Sequence, residues 1–195
     1  MSESTTLYHD PLDLKKNGCV RILVILGIIA GVIMFLGVQY LPKIAHNKLP
    51  LAQIVLKDIR IALSSYALEY GHYPIPESDW HGPDVSIRTR GPMLTALTGG
   101  NASLNPKTIK FIDFFAAKDR KNGLWQDGGE WIFSDPWGEL YYITLDTNKD
   151  GKVTNPEPRG ENMPAMFDKP IILYSSGPDR DPMTWEDNVC SWYSR

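Results

Sequence analysis

The sequence predicts an α+β fold: a long N-terminal helix, transmembrane and then amphipathic, packed on a small antiparallel β-sheet. Three observations carry that prediction. Residues 20–41, VRILVILGIIAGVIMFLGVQYL, are apolar apart from Arg21, Gln39 and Tyr40. Residues 51–71, LAQIVLKDIRIALSSYALEYG, repeat apolar side chains at three- and four-residue spacing, the period of a helix with one buried face. Beyond them, short β-branched and aromatic runs alternate with glycine, proline and aspartate, the punctuation of short strands.

At ~1.5 Å per residue, residues 22–41 would extend about 30 Å as a helix, close to the hydrocarbon thickness of a bilayer. A cleaved secretory signal competes, since Lys15 and Lys16 precede the run, but the run is long and no small-x-small site closes it. A lipoprotein signal would place its cysteine after the run, whereas Cys19 precedes it. The expectation is therefore a single retained anchor. Lys15, Lys16 and Arg21 on one side are matched by Lys43, Lys48 and Lys57 on the other, so the charge rule leaves orientation open.

The chain carries 20 basic and 23 acidic residues, a net charge of −3. Dispersed lysines in an acidic background argue against nucleic acid as a partner. The two cysteines, Cys19 and Cys190, flank the apolar run and the extreme C-terminus, which excludes a disulfide framework and a cysteine-based zinc site.

In order along the chain, residues 1–17 are a short polar tail without predicted structure, 18–41 the membrane helix, 42–71 its continuation and 72–195 a globular domain. Pro42 and Pro50 are expected to bend the helix. Leu51, Ile54, Val55, Ile59, Ala62, Leu63, Tyr66, Ala67 and Tyr70 form the apolar stripe. Gly71 and Pro74 end it. Residues 75–89 read as a loop and 93–97 as a short helix. The run containing Ile109, Phe111, Phe114 and Phe115 fits either a strand or an aromatic-bearing turn. Strands are predicted at 130–133, 139–145 and 170–175.

Residues 146–157, DTNKDGKVTNPE, match the calcium-loop pattern D-x-[DN]-x-[DN]-G-x5-E at every specified position. Asp146, Asn148 and Asp150 would supply side-chain oxygens, Lys152 its carbonyl and Glu157 both carboxylate oxygens. The loop follows a predicted strand, and Pro156 and Pro158 oppose an exiting helix, so it is EF-hand-like rather than an EF-hand. The same Asp, Asn and Gly residues would also suit a hairpin tip. Residues 135–138, DPWG, carry the preferences of a type I turn. A second oxygen-rich segment, SSGPDRD followed by EDN, precedes Trp192.

The order of an N-terminal apolar helix, KDIRIALSSYALEYGHYP, DPWGELYYI, ILYSSGPDRDP and EDNVCSW resembles the major pseudopilin of bacterial type II secretion, from residue 15 to the C-terminus and most closely after Asp135. The resemblance implies a pilin-like fold and a non-enzymatic subunit of a type II secretion or related type IV pilus-like filament. Other pseudopilin subunits, the membrane and an inner-membrane secretion platform would be its partners. It implies a single-pass protein of the bacterial inner membrane with a short cytoplasmic leader and a periplasmic C-terminal domain. It also implies calcium as cofactor in a C-terminal loop, with Asp179 and Asp187 as ligands, Thr184 in the place of a serine ligand, and Ser176 and Asp181 contributing carbonyls. The loop at 146–157 would be an additional site, with both loops clamping the same end of the sheet.

Gly18 and Cys19 stand at the position of a prepilin processing site, with Cys19 in place of the family's phenylalanine and Leu23 in place of its glutamate. Gly27 and Gly31 supply a small-xxx-small pattern for helix packing. Two other classes keep part of these features. A membrane-tethered calcium-binding adhesion or solute-binding module would retain the loops without polymerising. An enzyme would have to use His72 and His81 with Glu77, Asp79 and Asp84, yet no catalytic signature accompanies them.

Overall fold

The computed structural model describes residues 11–157 and 164–192 and, within the first helix, the side chains of residues 22–35 and 48–70. Two compact units divide the chain, Met1–His46 and Asn47–Arg195. Helix α1 (Pro11–Tyr70) contains both Pro42 and Pro50 within its bounds. Residues 11–17, expected to lack structure, are helical, and residues 1–10 lie outside the described residues.

In the first unit, residues 22–35 are exposed on every side, from Ile29 at 49% to Met34 at 74%. Among the described residues, no helix is long and apolar enough to cross a membrane. That finding overturns the transmembrane-then-amphipathic helix and, with it, the single-pass inner-membrane location.

The second unit corrects the rest of the predicted fold. In place of one small pilin-like sheet, the strands form three antiparallel sheets, a mixed α+β arrangement richer in sheet than expected. After α1 and a 3-10 turn at Glu77–Asp79 come β1 (Val85–Arg88), α2 (Pro92–Leu97), β2 (Gly123–Asp127), β3 (Glu130–Ser134), β4 (Tyr142–Leu145), β5 (Val153–Thr154), β6 (Met166–Phe167), β7 (Ile171–Ser175) and β8 (Val189–Cys190). The main sheet has the order β1-β4-β7-β8, while β2 pairs with β3 and β5 with β6.

The part of α1 in this unit buries Ala52, Val55, Leu56, Ile59, Ala62, Leu63 and Tyr66, the seam that helical periodicity predicts. Ile54 departs from the predicted stripe and is 56% exposed. The seam joins Leu94 and Leu97 of α2, Phe133 of β3, and Ile143 and Leu173 of the main sheet in one core. Register places Ile87, Ile143 and Leu173 in one row and Arg88, Tyr142 and Tyr174 in the next. Successive side chains of a strand point to opposite faces. The second row therefore belongs to the other face, where Tyr174 packs with Trp185 and Cys190.

Between the sheets lies a buried carboxylate. Asp135 is fully buried, and its Oδ1 accepts the backbone N–H groups of Trp137, Gly138 and Glu139 at 2.8–2.9 Å. The Ser175 hydroxyl of β7 donates to Oδ2. The Gly138 N–H also donates to the Asp135 carbonyl at 3.1 Å, closing the turn expected from DPWG and setting Trp137 into the core. Asp135→Ala would strand the Trp137 and Glu139 N–H groups and the Ser175 hydroxyl, leaving the Gly138 N–H its bond to the backbone carbonyl. It is expected to lower stability in urea unfolding by about 3–5 kcal/mol, whereas Ser175→Ala, which removes one of four bonds, should cost about 1–2 kcal/mol.

Candidate functional site

The EF-hand-like loop begins where β4 ends. Asp146 is 5% exposed and spends its carboxylate on the loop itself: Oδ1 accepts the Lys149 N–H at 2.6 Å and Oδ2 the Gly151 N–H at 2.8 Å. Asn148 Oδ1 takes the Asp150 N–H and Asp150 Oδ1 the Lys152 N–H, both at 2.8 Å. These are side chains folding back on the backbone two to five residues ahead, as in Asx turns. The Glu157 N–H donates to Asn155 Oδ1 at 2.9 Å. Among the described residues, no group of three or more His, Cys, Asp or Glu is placed to hold a metal ion.

Asp84 joins this loop from across the sheet. Val85 pairs with Leu145, so the residue before β1 meets the residue after β4. Its Oδ2 accepts the Thr154 N–H at 3.3 Å, and its buried Oδ1 has no hydrogen-bond partner. Burial raises the Asp84 carboxyl pKa, and the negative charges of Asp146 and Asp150 push the same way, against the Thr154 hydrogen bond. The sequence offered Asp84 only as a neighbour of His81; the strand pairing that brings it to Asp146 crosses about sixty residues. His72 instead stacks on Trp80 with ring centroids 3.6 Å apart, and His81 is exposed.

The loop between β7 and β8 differs in one physical respect. Asp179 Oδ1 accepts the Asp181 N–H and Asp181 Oδ1 the Met183 N–H, each at 2.9 Å, and the Thr184 N–H donates to the Asp181 carbonyl at 3.1 Å. Asp187 Oδ2 receives the Asp179 N–H at 3.3 Å. Yet Ser176 Oγ, Asp187 Oδ1 and Asn188 Oδ1 are buried oxygens without a hydrogen-bond partner. Ser176 is 1% and Asn188 3% exposed. Such atoms forfeit hydration with nothing in return. Burial raises the Asp187 carboxyl pKa, with Asp179 and Glu186 adding to the rise and the Asp179 N–H opposing it. A hard cation would satisfy this oxygen set.

Gly177 holds the loop together. Its φ is +69°, and a Cβ there would lie 2.4 Å from the Asp187 carbonyl oxygen. Gly177 and Asp187 are thus brought together by a backbone approach that only glycine permits. Asn188, placed by the sequence in the oxygen-rich segment but not among the expected ligands, adds its amide by donating to the Pro182 carbonyl at 3.0 Å.

The two loops do not share an end of the sheet. Leu145 pairs with Ile171 and Tyr142 with Tyr174; the first loop leaves β4 at the former pair, and the second leaves β7 beyond the latter. Antiparallel pairing puts them at opposite ends, which corrects the expected common clamp. Gly18 and Cys19 fall in α1 where side chains lie outside the described residues. Positions facing Gly27 and Gly31 are open, with nothing within 4 Å of a built Cβ.

No protein-family model, curated protein or solved structure matches this chain. Gly177→Ala is expected to lower stability by about 2–4 kcal/mol, from the left-handed backbone and the clash together. A thermal or urea unfolding curve reads this directly, and a neutral outcome would mean the loop does not hold Gly177 against Asp187.

Proposed function

We propose that this chain is a non-enzymatic, pseudopilin-like subunit that assembles with other pseudopilin subunits through α1, and that calcium stiffens the loops of its β-rich unit. The observation that carries this reading is a second apolar face on α1. Ile54, Ile61 and Leu68 recur every seven residues and are 56%, 49% and 88% exposed, opposite in phase to the buried seam. A seven-residue apolar repeat is the pattern by which helices pack laterally on one another.

Magnitudes decide how much of α1 is needed. Burying three such side chains contributes about 5–9 kcal/mol, comparable to the 4–15 kcal/mol or so that association costs in lost freedom. The stripe alone is near break-even. The exposed apolar residues 22–35 supply the additional surface that makes assembly favourable. Gly27 and Gly31 give close approach in the same segment.

For calcium, the β7–β8 loop is the better supported site. Its orphaned oxygens, Ser176 Oγ, Asp187 Oδ1 and Asn188 Oδ1, are acceptors in want of a positive partner, with Asp179 and Asp181 alongside. In the first loop, Asp146, Asn148 and Asp150 already bond to backbone amides, and Asp84 brings the free oxygen. Bound calcium would supply charge neutralisation and rigidity there.

Assembly is tested by sedimentation of the full chain, with Ile61→Cys as an oxidative cross-linking probe. Oligomers in sedimentation and disulfide-linked dimers of the Ile61→Cys chain are expected, and Ile61→Glu should reduce sedimentation to that of a monomer while leaving the melting temperature within a few degrees; monomers throughout would leave a calcium-binding adhesion or solute-binding module instead. Calcium is tested by calorimetry against chelator. At a hundredfold excess over Kd, binding stabilises by about 2.7 kcal/mol, a rise of about 5–10 °C for a unit of this size. Asp187→Ala should remove most of that rise. A melting temperature indifferent to calcium sinks the metal reading.

A further inference from the structure

The main sheet has an edge that is bare for the length of one strand. Strand β1 lies at the end of the order β1-β4-β7-β8. The Thr89 N–H donates to the Tyr141 carbonyl at 3.2 Å, which fixes the alternation: Val85 and Ile87 bond to β4, and the backbone groups of Ser86 and Arg88 turn outward. Side-chain contacts agree, since Ser86 Oγ lies 3.2 Å from Thr144 Oγ1 and the Arg88 guanidinium sits 3.6 Å over the Tyr142 ring, the close approach of non-hydrogen-bonded pairs. By that alternation the Ser86 N–H and C=O and the Arg88 N–H face away from β4, and the Arg88 carbonyl takes the Arg90 N–H at 2.8 Å.

From Thr89 onward the edge is covered. The Phe133 N–H donates to the Thr89 carbonyl and the Gly91 N–H to the Trp131 carbonyl, with Arg90 bridged to Ile132. Strand β3 therefore closes the sheet beyond β1 and stops short of it. Along the bare stretch runs a cavity of about 600 Å³ that Ser86, Ile87 and Arg88 line, with Ile75, Met93 and Leu104 among its apolar walls.

We propose that this edge is a docking site for an extended peptide segment of a partner protein, added to the sheet as a fifth strand beside β1. The outward N–H groups of Ser86 and Arg88 and the Ser86 carbonyl supply the main-chain hydrogen bonds by which strand addition gains affinity. Alternation then dictates the segment's chemistry. The residue opposite Arg88 extends the row Arg88, Tyr142, Tyr174, and its flanking residues face the row of Ile87 and the cavity's apolar wall.

Arg88 selects an acid at the central position. It has no carboxylate partner among the described residues; one Nη donates to the Leu140 carbonyl at 2.8 Å, and the buried Nε has no acceptor. The nearby Glu130 is taken by Arg90. Opposite charges directly across a strand pair stabilise it. The ligand class is thus a strand reading apolar, acidic, apolar, at least four residues long.

The probe is acetyl-Thr-Val-Asp-Val-Thr-amide, titrated into the full chain while the backbone amide signals of Ser86 and Arg88 are followed by NMR. Saturable shifts and slowed hydrogen exchange at those two amides are expected. N-methylation of the probe amides that face β1, that of the central Asp first, should weaken binding about tenfold or more, and Asp-to-Asn in the probe by about threefold to tenfold. Ser86→Pro, which removes an N–H that β4 does not use, should abolish binding with the fold intact. Arg88→Gln, which needs no backbone change, should erase the preference for the acidic probe.

Equal binding of the N-methylated probe, a preference for Asp that survives Arg88→Gln, or no shifts at millimolar probe would each overturn the proposal. Self-association that Ser86→Pro abolishes would assign the edge to a second copy of the chain and would also overturn it. The filament reading stands or falls separately, since Ile61→Glu leaves this edge untouched.

Discussion

One buried carboxylate joins the separate pieces of the β-rich unit. The five residues from Asp135 to Glu139 turn about the Asp135 side chain, and the same side chain reaches Ser175 in the centre of the main sheet. Its backbone serves as well, with the Asn122 N–H donating to its carbonyl at 2.7 Å and its own N–H to the Glu139 carbonyl at 2.7 Å. A charge removed from water is costly unless every acceptor position is used. Here satisfaction and architecture coincide: the β2–β3 hairpin, the turn and β7 meet where the carboxylate needs donors. Tyr141 beside it is buried, and burial first, then the Asp135 charge, holds its phenol well above the ordinary value.

The main elements were legible where pattern and burial agree. The predicted runs at 130–133, 139–145 and 170–175 overlap β3, β4 and β7, and 93–97 lies within α2, because each is apolar and bounded by turn residues. Strand β1 was hidden in a polar stretch: of its four residues, VSIR, Ser86 is exposed and the other three are half-buried, with Ile87 packed against the core. The β2–β3 hairpin was missed although Gly128 and Gly129 both adopt positive φ, the two-residue turn that hairpins favour. Ile109 to Phe115 resisted a decision because it is neither helix nor strand; the Phe111 N–H instead donates to the Leu97 carbonyl, and its rings pack by aromatic contact.

At the candidate site, local signals were readable and long-range ones were not. The Asp146 and Asp179 segments announce themselves by composition. That Asp84 meets Asp146, and that the two loops sit at opposite ends, follows only from strand register. Hydropathy misled most: an apolar run gives the polarity of a segment, and among the described residues no helix is long and apolar enough to cross a membrane. Helix α1 nonetheless has two apolar aspects in the β-rich unit, one sealed against the sheet and one, at Ile54, Ile61 and Leu68, left in contact with water.

The order of the main sheet has a consequence for synthesis. Helix α1 leaves the ribosome first, but β7, the central strand against which its sealed face rests, emerges about 100 residues later. At 5–20 residues per second the delay is on the order of 5–20 s. For much of that interval Leu56, Ile59 and Leu63 lack part of their lining, so a nascent chain of this design depends on some other greasy surface to shelter them until β7 has been made.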